Sequence, residues 1–537
     1  MQPGATGKVL IAGAGPTGLM AACELARRDI DCTVIDKAAQ PSDKSRALGV
    51  HARTLEMLDD LGIAEAMIQD GLVVRRMKVF ADRKPLAEVN FDDLESPFPF
   101  TLALPQDKTE KHLTKCLASS GRQILRQHEL VDVKTSADKV DVKIKTADGK
   151  EISQTYDWLI ACDGAHSTVR HALQLPFEGG TYEEQFVLAD VRLELPPELT
   201  KDSQWQPFSI HMTKAGLLAF FQIGGDRYRV IAVLPPDTVL SKGTEPTLLE
   251  VQAMVDERAP KGIRLHDPVW LASFRINYRQ LRDYRHGRVL FAGDAAHVHS
   301  PAGGQGMNTG MQDAVNLAWK LALVIKEGAG DSLLNSYAIE RHAVAAAVLK
   351  GTDFLTRVNI MRNPLGRELR NRLAPILIGQ EVIQAKITRN VSELAVAYRS
   401  SPIVFEHKRS LLAVAAKPAN APDQPGWADW FEFGHGPSPG ERAPDAHAVD
   451  ARTDKPIRLF QAMRGIKHSL LLLAGEHESE KVLAQIAPLA HAVEQMFGRL
   501  VQVVIVAAEG SGLAAAGTNT ECDFTPPEIL RKLEASV

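Results

Sequence analysis

Cysteine is sparse. The chain of 537 residues holds five, Cys23, Cys32, Cys116, Cys162 and Cys522. No two are spaced as Cys-x-x-Cys, which excludes a dithiol redox motif and a cysteine-based zinc site. They read as small buried hydrophobes. Neither sign of charge dominates: 62 Lys and Arg stand against 66 Asp and Glu, a net of −4. No basic stripe stands out, so nucleic acid is not the expected partner. No apolar run approaches the roughly 20 residues needed to cross a bilayer, so no membrane partner is expected either. The opening "MQPGATGKVLIAGAG" lacks a charged start, an apolar region and a cleavage site, which points to a cytoplasmic protein. There is no internal repeat, and His297 and His299 lack the further ligands that a metal site needs.

What is present is a composition of 45% hydrophobic and 24% charged residues, that of a globular protein with a large core. The length suggests about three domains. "KVLIAGAGPTGLMAACELARRDIDCTVIDK" reads as strand, tight turn, helix, strand. Val9 to Ala12 is a continuous apolar run, as in a parallel strand covered on both faces. Leu19, Ala22, Cys23 and Ala26 recur at helical spacing. Further on, two alternating runs flank Asp148–Gly149, a hairpin signal, and "WLIACDG" returns to the parallel sheet. From about Tyr182 to Arg279 the pattern is strand-rich and reads as an inserted antiparallel sheet. "GRVLFAGDAAH" is another buried strand, and 330–400 is mainly helical. Two Pro/Gly/Ala-rich stretches read as a linker, followed by a small α/β domain. The expected organisation is therefore a first part of a nucleotide-binding domain at 1–180, a sheet domain at 181–280, and the second part with helices at 281–400. A linker at 401–450 and a C-terminal domain at 451–537 complete it.

Three strand ends carry chemistry. Gly13-x-Gly15-x-x-Gly18 lies between a strand and a helix, where glycines permit a tight turn and close approach of a pyrophosphate to the helix N-terminus. Asp36 ends the second strand, at the place of an acid that grips a ribose. Asp163 and Gly164 end the strand of "ACDGAHSTVR"; the alternative for Asp163 is a helix cap. Asp294 ends the strand of "GDAAHVHSPAGGQGMNTGMQDAVNLAWKL" and can accept hydrogen bonds from sugar or ribityl hydroxyls. The small-residue loop after it lets backbone approach a flat ring, and Met307 and Asn308 begin a helix whose N–H groups can face a ring edge. Three acids at distant strand ends fit one extended dinucleotide better than three small ligands.

These motifs, with "SRALGVHARTLEML", "LPQDKTEKHL" and "GERAPDA", resemble the single-component (class A) FAD-dependent aromatic hydroxylases, in the phenol hydroxylase, pentachlorophenol monooxygenase and polyketide hydroxylase branch. The resemblance spans most of the first 450 or so residues. It implies an α/β, Rossmann-like FAD-binding fold with an inserted antiparallel-sheet substrate domain and a C-terminal thioredoxin-like domain, the last without Cys-x-x-Cys. It implies that Gly13, Gly15, Gly18, Asp36 and Lys37 hold the adenosine half of FAD, that Arg46, Arg53 and Gln106 touch the cofactor, and that Asp163 and Gly164 serve both FAD and NAD(P)H. Asp294 would bind the ribityl or pyrophosphate region. Pro301, Gly304, Gly306, Met307 and Asn308 would line the flavin ring, with Pro301 also beside the substrate.

The implied reaction is hydroxylation of a small phenolic or polyketide aromatic with O2 and NADPH or NADH, through a flavin C4a-hydroperoxide. The nicotinamide binds transiently, in keeping with a single strand–GxGxxG–helix unit. Baeyer–Villiger reaction and epoxidation share the motifs. A non-catalytic binder of FAD and an aromatic intermediate, and an FAD dehydrogenase or oxidase without oxygen insertion, are the other classes. His211 in "FSIHM" and Tyr228 in "GDRYRV" are candidates to orient a phenol; the alternative for each is a sheet residue facing core. The C-terminal domain is compatible with a homodimer.

Overall fold

A computed structural model describes residues 8–42, 44–201, 205–234, 245–359, 361, 363, 366–372, 380–405, 437–451, 453–473, 479–508 and 521–524. Most of the expected linker, 406–436, and the end of the chain, 525–537, lie outside the described residues. The chain divides into two units, Met1–Val396 and Ala397–Val537.

The first unit is built on the strand Val9–Ala12, all four residues buried. It pairs in parallel with Cys32–Asp36 on one side and Trp158–Ala161 on the other. Ile124–Arg126 and Val289–Phe291 extend the parallel sheet outward, and Arg285–His286 closes one edge antiparallel. Apolar residues run continuously along the inner strands because helices cover the sheet. The first helix, Pro16–Ala26, begins with Pro at its start, a position with no intrahelical N–H bond to lose. The long helix Gly306–Glu327 ends at Gly328 in the left-handed conformation, φ 66°. A three-stranded antiparallel sheet, Glu129–Thr135, Val140–Lys145 and Glu151–Tyr156, turns at Asp148–Gly149.

The inserted sheet has eight strands, and all but one of its pairings are antiparallel. Glu178–Glu194 and Arg264–Gln280 pair along most of their length, followed in order by Arg227–Val233, Gly216–Gly224 and Phe208–Thr213. Two strands from earlier in the chain, Arg76–Ala81 and Lys84–Asn90, end it on one side, and His297–Val298 forms the other edge. Successive side chains point to opposite faces. One face is sealed by the helix Leu248–Arg258, whose Val251, Met254 and Val255 pack on Val187, Ala189, Leu218, Phe220, Tyr228 and Val230. A Thr247–Glu250 capping box starts that helix. The opposite face carries Phe186, Ile231, Val233, Phe274 and Leu217. At Phe208, Phe221 and Ile223 it meets Leu48, Val74 and Ala103 of the nucleotide-binding fold.

The second unit has a five-stranded sheet in the order Lys455–Arg458, His447–Asp450, Glu521–Phe524, Val501–Ala508, His468–Leu473. His468–Leu473, Val501–Ala508 and Glu521–Phe524 pair in parallel, His447–Asp450 joins them antiparallel, and the helix Ser479–Phe497 connects the first two. Among the described residues no helix is long and apolar enough to cross a membrane.

The tip of the central strand depends on a close approach. Gly13 has φ 103°, and a Cβ there would sit 2.2 Å from the Cys162 carbonyl oxygen; a Cβ on Gly18 would sit 2.0 Å from that of Gly13. Backbone cannot yield as a side chain can. Gly18→Ala should therefore lower stability by about 1–3 kcal/mol, the ordinary cost of overpacking, read as a fall in the thermal midpoint. A midpoint equal to wild type would contradict the packing described.

Candidate active site

The first and third strand tips meet at Thr17, in the first turn of the helix Pro16–Ala26. A Cβ on Gly293 would lie 2.6 Å from the Thr17 hydroxyl, and one on Gly310 would lie 2.4 Å from it. The third motif thus packs directly on the first. The second joins through Cys162, whose N–H donates to Ala12 O (2.8 Å), while Ala292 N–H donates to Ala161 O (3.1 Å). Gly13, Asp163 and Asp294 are in this way brought to one sheet edge, where open α/β folds bind ligands.

Several groups at that edge have the form a dinucleotide requires. Nothing lies within 4 Å of where a Cβ on Gly15 or Gly164 would be, so both turns are open on one side. Neither Pro16–Ala26 nor Gly306–Glu327 has a side-chain cap, leaving their first N–H groups for an anion or a ring edge. Asp294 is exposed, yet the walls around it are close enough that desolvation pushes its carboxyl up, against the pull of His297 and Arg46. Arg46 is exposed within electrostatic reach of it. Asp36 accepts from Ala14 N–H (2.7 Å) and Ala38 N–H (2.8 Å) and faces Arg126 at 3.7 Å. Each carboxylate oxygen keeps a lone pair for a hydroxyl. Lys37 follows it, exposed. These residues fit FAD.

Other nominated residues are partly committed elsewhere. Asp163 accepts from Val169 N–H (3.1 Å) and, with Ser167, caps the short helix Thr168–Ala172. Arg53 pairs with Glu56 (2.8 Å). Gln106 donates to Glu110 and accepts from Ala47 N–H, tying the segment around Arg46 to the start of the helix Gln106–Ser119. The Asn308 side chain is fully used. Its Oδ1 accepts from His51 N–H and its Nδ2 donates to Gly49 O and Gly304 O, each at 2.9 Å. Any contact from Asn308 to a ring therefore comes from its backbone. Pro301 and Gly304 are exposed and close a turn, Gly304 N–H to Pro301 O (2.9 Å). Gly306 lies beside His299, and Met307 packs against the core.

His211 and Tyr228 do not join this site. Both lie on the face of the large sheet beneath the helix Leu248–Arg258. His211 stacks on Phe80, ring centres 4.8 Å apart, and Tyr228 accepts from Trp205 Nε1 (3.1 Å). The core alternative holds for both. The opposite face differs in exposure: Ile210, Leu217, Phe221, Ile223, Ile231 and Phe274 are only half-buried. An apolar face left partly open beside a polar cleft is what an aromatic ligand requires. Its edge strand is His297–Val298, paired with Arg279 and Gln280, so this face runs continuously into the loop after Asp294. Its buried polar feature is the bidentate pair of Arg229 with Asp190, both bonds 2.8 Å, beside Trp270.

Four residues that shape the site carried no signal of their own. His51 Nε2 meets Gly303 O at 2.8 Å, and burial lowers its imidazole to about 4, so it is neutral. It sits inside a quoted motif but was hidden by its neighbours. Asp313 accepts from Gly293 N–H (2.9 Å), His297 Nε2 (2.7 Å) and Arg341 Nε (2.6 Å). Burial alone would raise it, but Arg341 and His297 hold it below the ordinary range. Glu393 accepts from Thr309 Oγ1 (3.1 Å) and from Gln312 at the start of the long helix. Beside it Gln305 Nε2 donates to Asn390 O (2.9 Å). Burial pushes the Glu393 carboxyl up to about 8, opposed by Thr309, Arg341 and Gln312.

The Glu393 shift fixes a sign. A carboxyl raised on folding favours the folded state while it is protonated, and that contribution is lost as pH rises from the unfolded value through about 8. The thermal midpoint of wild type should fall between pH 5 and 9 more than that of Glu393→Gln, which keeps the neutral hydrogen bonds. Parallel curves for the two proteins would contradict this.

Comparison with known proteins agrees with the geometry. A family model described as "FAD binding domain" matches residues 6–352. The chain is 36% identical over 422 residues to 6-methylpretetramide 4-monooxygenase of Streptomyces rimosus, covering 75% of this chain and 72% of that one. It is 31% identical over 520 residues to pentachlorophenol 4-monooxygenase of Sphingobium chlorophenolicum, covering 94% and 86%. The solved structure of OxyS anhydrotetracycline hydroxylase from Streptomyces rimosus superposes with a TM-score of 0.71 at 31% identity, over 93% of this chain and 89% of that one. The chain belongs to the FAD binding domain family, in the company of aromatic and polyketide monooxygenases, and its cofactor is FAD.

Proposed function

We propose that the protein is an FAD-dependent monooxygenase that hydroxylates an aromatic, phenolic or polyketide substrate with NAD(P)H and O2. The observation that carries the reading is continuity: the sheet that bears the half-buried apolar face ends in the edge strand His297–Val298, which leads from Asp294 directly into the small-residue loop. The relatives' activities support the same class of reaction. Dioxygen and a reduced nicotinamide are the co-reactants it requires, and the cytoplasm and a homodimer are the setting.

Bound FAD supplies hydride acceptance and transfer of one oxygen atom to an electron-rich ring. The chain supplies position and dryness. Gly13, Gly15 and Gly18 admit the pyrophosphate to the first turn of Pro16–Ala26, and Asp36 with Lys37 takes the adenosine ribose. Arg46, Gln106 and Asp294 hold the middle of the cofactor, and Arg53, Asp163 and Gly164 stand along the same cleft. Pro301 and the backbone of Gly304, Gly306, Met307 and Asn308 bear on the ring, in a turn that His51 holds from behind. Ile231, Phe274 and Leu217 exclude water from the reacting face, which protects the activated oxygen from discharge. His211 and Tyr228 are outside this scheme.

Purified protein should consume NADH or NADPH faster when a matching phenol is added, and the product should gain about 16 daltons, one oxygen atom. Turnover without incorporation of labelled oxygen from O2 would identify a dehydrogenase or oxidase instead. Binding without stimulated NAD(P)H oxidation across a panel of single- and multi-ring phenols would favour a non-catalytic binder. Asp294→Ala should retain less FAD after gel filtration than wild type while keeping a normal circular dichroism spectrum. Equal retention would remove Asp294 from the cofactor site.

A further inference from the structure

The ion pair of Arg229 and Asp190 lies on the half-open face of the large sheet, and the scheme above leaves it unused. Arg229 stands between Asp190 on one neighbouring strand and Phe221 on the other, with Ile231 two residues further along its own strand. Alternation puts all four side chains on one face. Phe221 packs with Phe208 against Leu48, Val74 and Ala103, so this part of the face borders the nucleotide-binding fold.

Arg229 is 3% exposed. Asp190 accepts from its Nε and its Nη2, both at 2.8 Å. A guanidinium carries five N–H groups in one plane. Asp190 takes two, on the Nε–Nη2 edge, and the remaining donors of Nη1 and Nη2 form a second fork on another edge. No described residue accepts from Nη1. Nη1 is not among the partnerless side-chain atoms closed off from solvent, so it meets open space at the face. The plane is not free to turn away, because both bonds to Asp190 hold it and Trp270 stands 5.5 Å from it. An oriented pair of donors in apolar surroundings, without an acceptor of its own, points to a ligand that brings acceptors.

We propose that this second fork anchors the substrate, and that the aromatic it selects carries two neighbouring oxygen acceptors, a ketone carbonyl beside a phenolic hydroxyl. The inference rests on the function proposed above and narrows its substrate class. In such an acyl phenol the hydroxyl proton is shared with the carbonyl. Each oxygen keeps a lone pair on the outer side, and the two together match two parallel N–H donors. A plain phenol offers one oxygen and leaves a donor unpaired. A carboxylate offers two, but it brings a second anion to a buried site whose single cation is already paired with Asp190, which is costly. The neutral oxygen pair meets the fork without that cost. Ile231 and then Phe186 with Phe274, ring centres 5.7 Å apart, continue the face and receive the carbon skeleton. Phe186 is four residues from Asp190 along its strand, roughly 13 Å, which leaves length for more than one ring. Arg229 is then a substrate-binding residue, and Asp190 a positioning residue that fixes its plane.

Isothermal titration of the FAD-loaded protein tests this without turnover. ortho-Hydroxyacetophenone should bind about tenfold or more tightly than ortho-ethylphenol, which has the same hydroxyl and no carbonyl. The same order should hold for peri-hydroxytetralone over the matching tetrahydronaphthol, and salicylate should bind no better than ortho-ethylphenol. Arg229→Lys keeps a cation opposite Asp190 and has no second fork. It should keep the FAD content of wild type and bind the acyl phenol and the ethylphenol alike. The pair Arg229→Met with Asp190→Leu, which leaves no buried charge unpaired, should do the same. Wild type alone decides the ligand order, whether or not a variant folds. Equal affinity of wild type for the acyl and ethyl phenols, tighter binding of salicylate than of the acyl phenol, or an undiminished preference in either folded variant would each overturn the proposal. Hydroxylation of plain phenols by a wild type without that preference would leave the proposed function standing, whereas failure to bind any of these aromatics would remove both.

Discussion

Everything at the nucleotide edge depends on how closely backbone can approach backbone there. Three strand tips crowd around Thr17 and the Gly13 carbonyl, and the contacts at Gly13, Gly18, Gly293 and Gly310 leave no room for a Cβ. Each of these glycines belongs to a different requirement, yet they share one volume. The tight turn at Gly13 exists because Cys162 occupies the space beside it. The helix Gly306–Glu327 can lie against Pro16–Ala26 because Gly310 and Gly293 accept the Thr17 side chain between them. Two helix N-termini then open on the same cleft. Positive helix ends and N–H groups accumulate where an anionic, extended cofactor has to lie. The site is thus a consequence of core packing, not an addition to it.

This constraint explains what could be read from the residues alone. A backbone approach of this kind admits one residue type, so its signature survives as glycines at fixed spacing. The parallel strands were legible for a related reason: burial on both faces leaves only apolar residues, as in Val9–Ala12. Residues of the large inserted sheet had no such protection. In a half-open sheet both faces carry apolar and aromatic side chains, and a shift of one residue moves a side chain to the other face. His211 and Tyr228 are polar-tipped residues in strands, which drew attention to them. Which face they occupy was decided by the helix Leu248–Arg258, far along the chain, and no local pattern announces where a helix will dock. Ile231 and Phe274, on the open face, look like any core residue in sequence. The strands Arg76–Ala81 and Lys84–Asn90 join the sheet from the first third of the chain, through a parallel pairing that leaves no hairpin signal.

The acids of the long motif show how identical chemistry is split by surroundings. Asp294 and Asp313 are separated by less than one long helix and both respond to His297. Asp313 is enclosed, and Arg341 with His297 keeps it ionised against burial. It therefore serves structure: it holds Gly293 N–H, and with it the strand tip. Asp294 has only the more distant help of His297 and Arg46, and its carboxyl drifts upward. A carboxyl in that state gains from hydroxyl partners, which a ribityl chain or ribose can supply. Two acids of one motif thus differ: Asp313 is enclosed and holds the strand tip, and Asp294 is left exposed at it.

The loop after Asp294 is held from three directions. His51, after the strand Gly49–Val50, and Asn308, in the long helix, fasten Gly303 and Gly304. Ser300 bonds Thr356 of the helix Ser332–Asn359 at 2.6 Å, and Glu393 with Asn390 grips the start of the long helix from beyond. Glu393 does so at φ 62°, a conformation that costs a non-glycine residue energy and persists only where its bonds outweigh the strain. The loop itself has exposed residues and few apolar contacts, so its position is set by these hydrogen bonds and not by packing. A loop fixed by neutral hydrogen bonds from separate elements keeps its carbonyls and N–H groups oriented without adding a charge beside them. Preorganised dipoles of that kind stabilise developing charge without reorganising during the reaction. The imidazoles of His51 and His299, both lowered to about 4 by burial, follow the same pattern: neither adds a positive charge beside this loop.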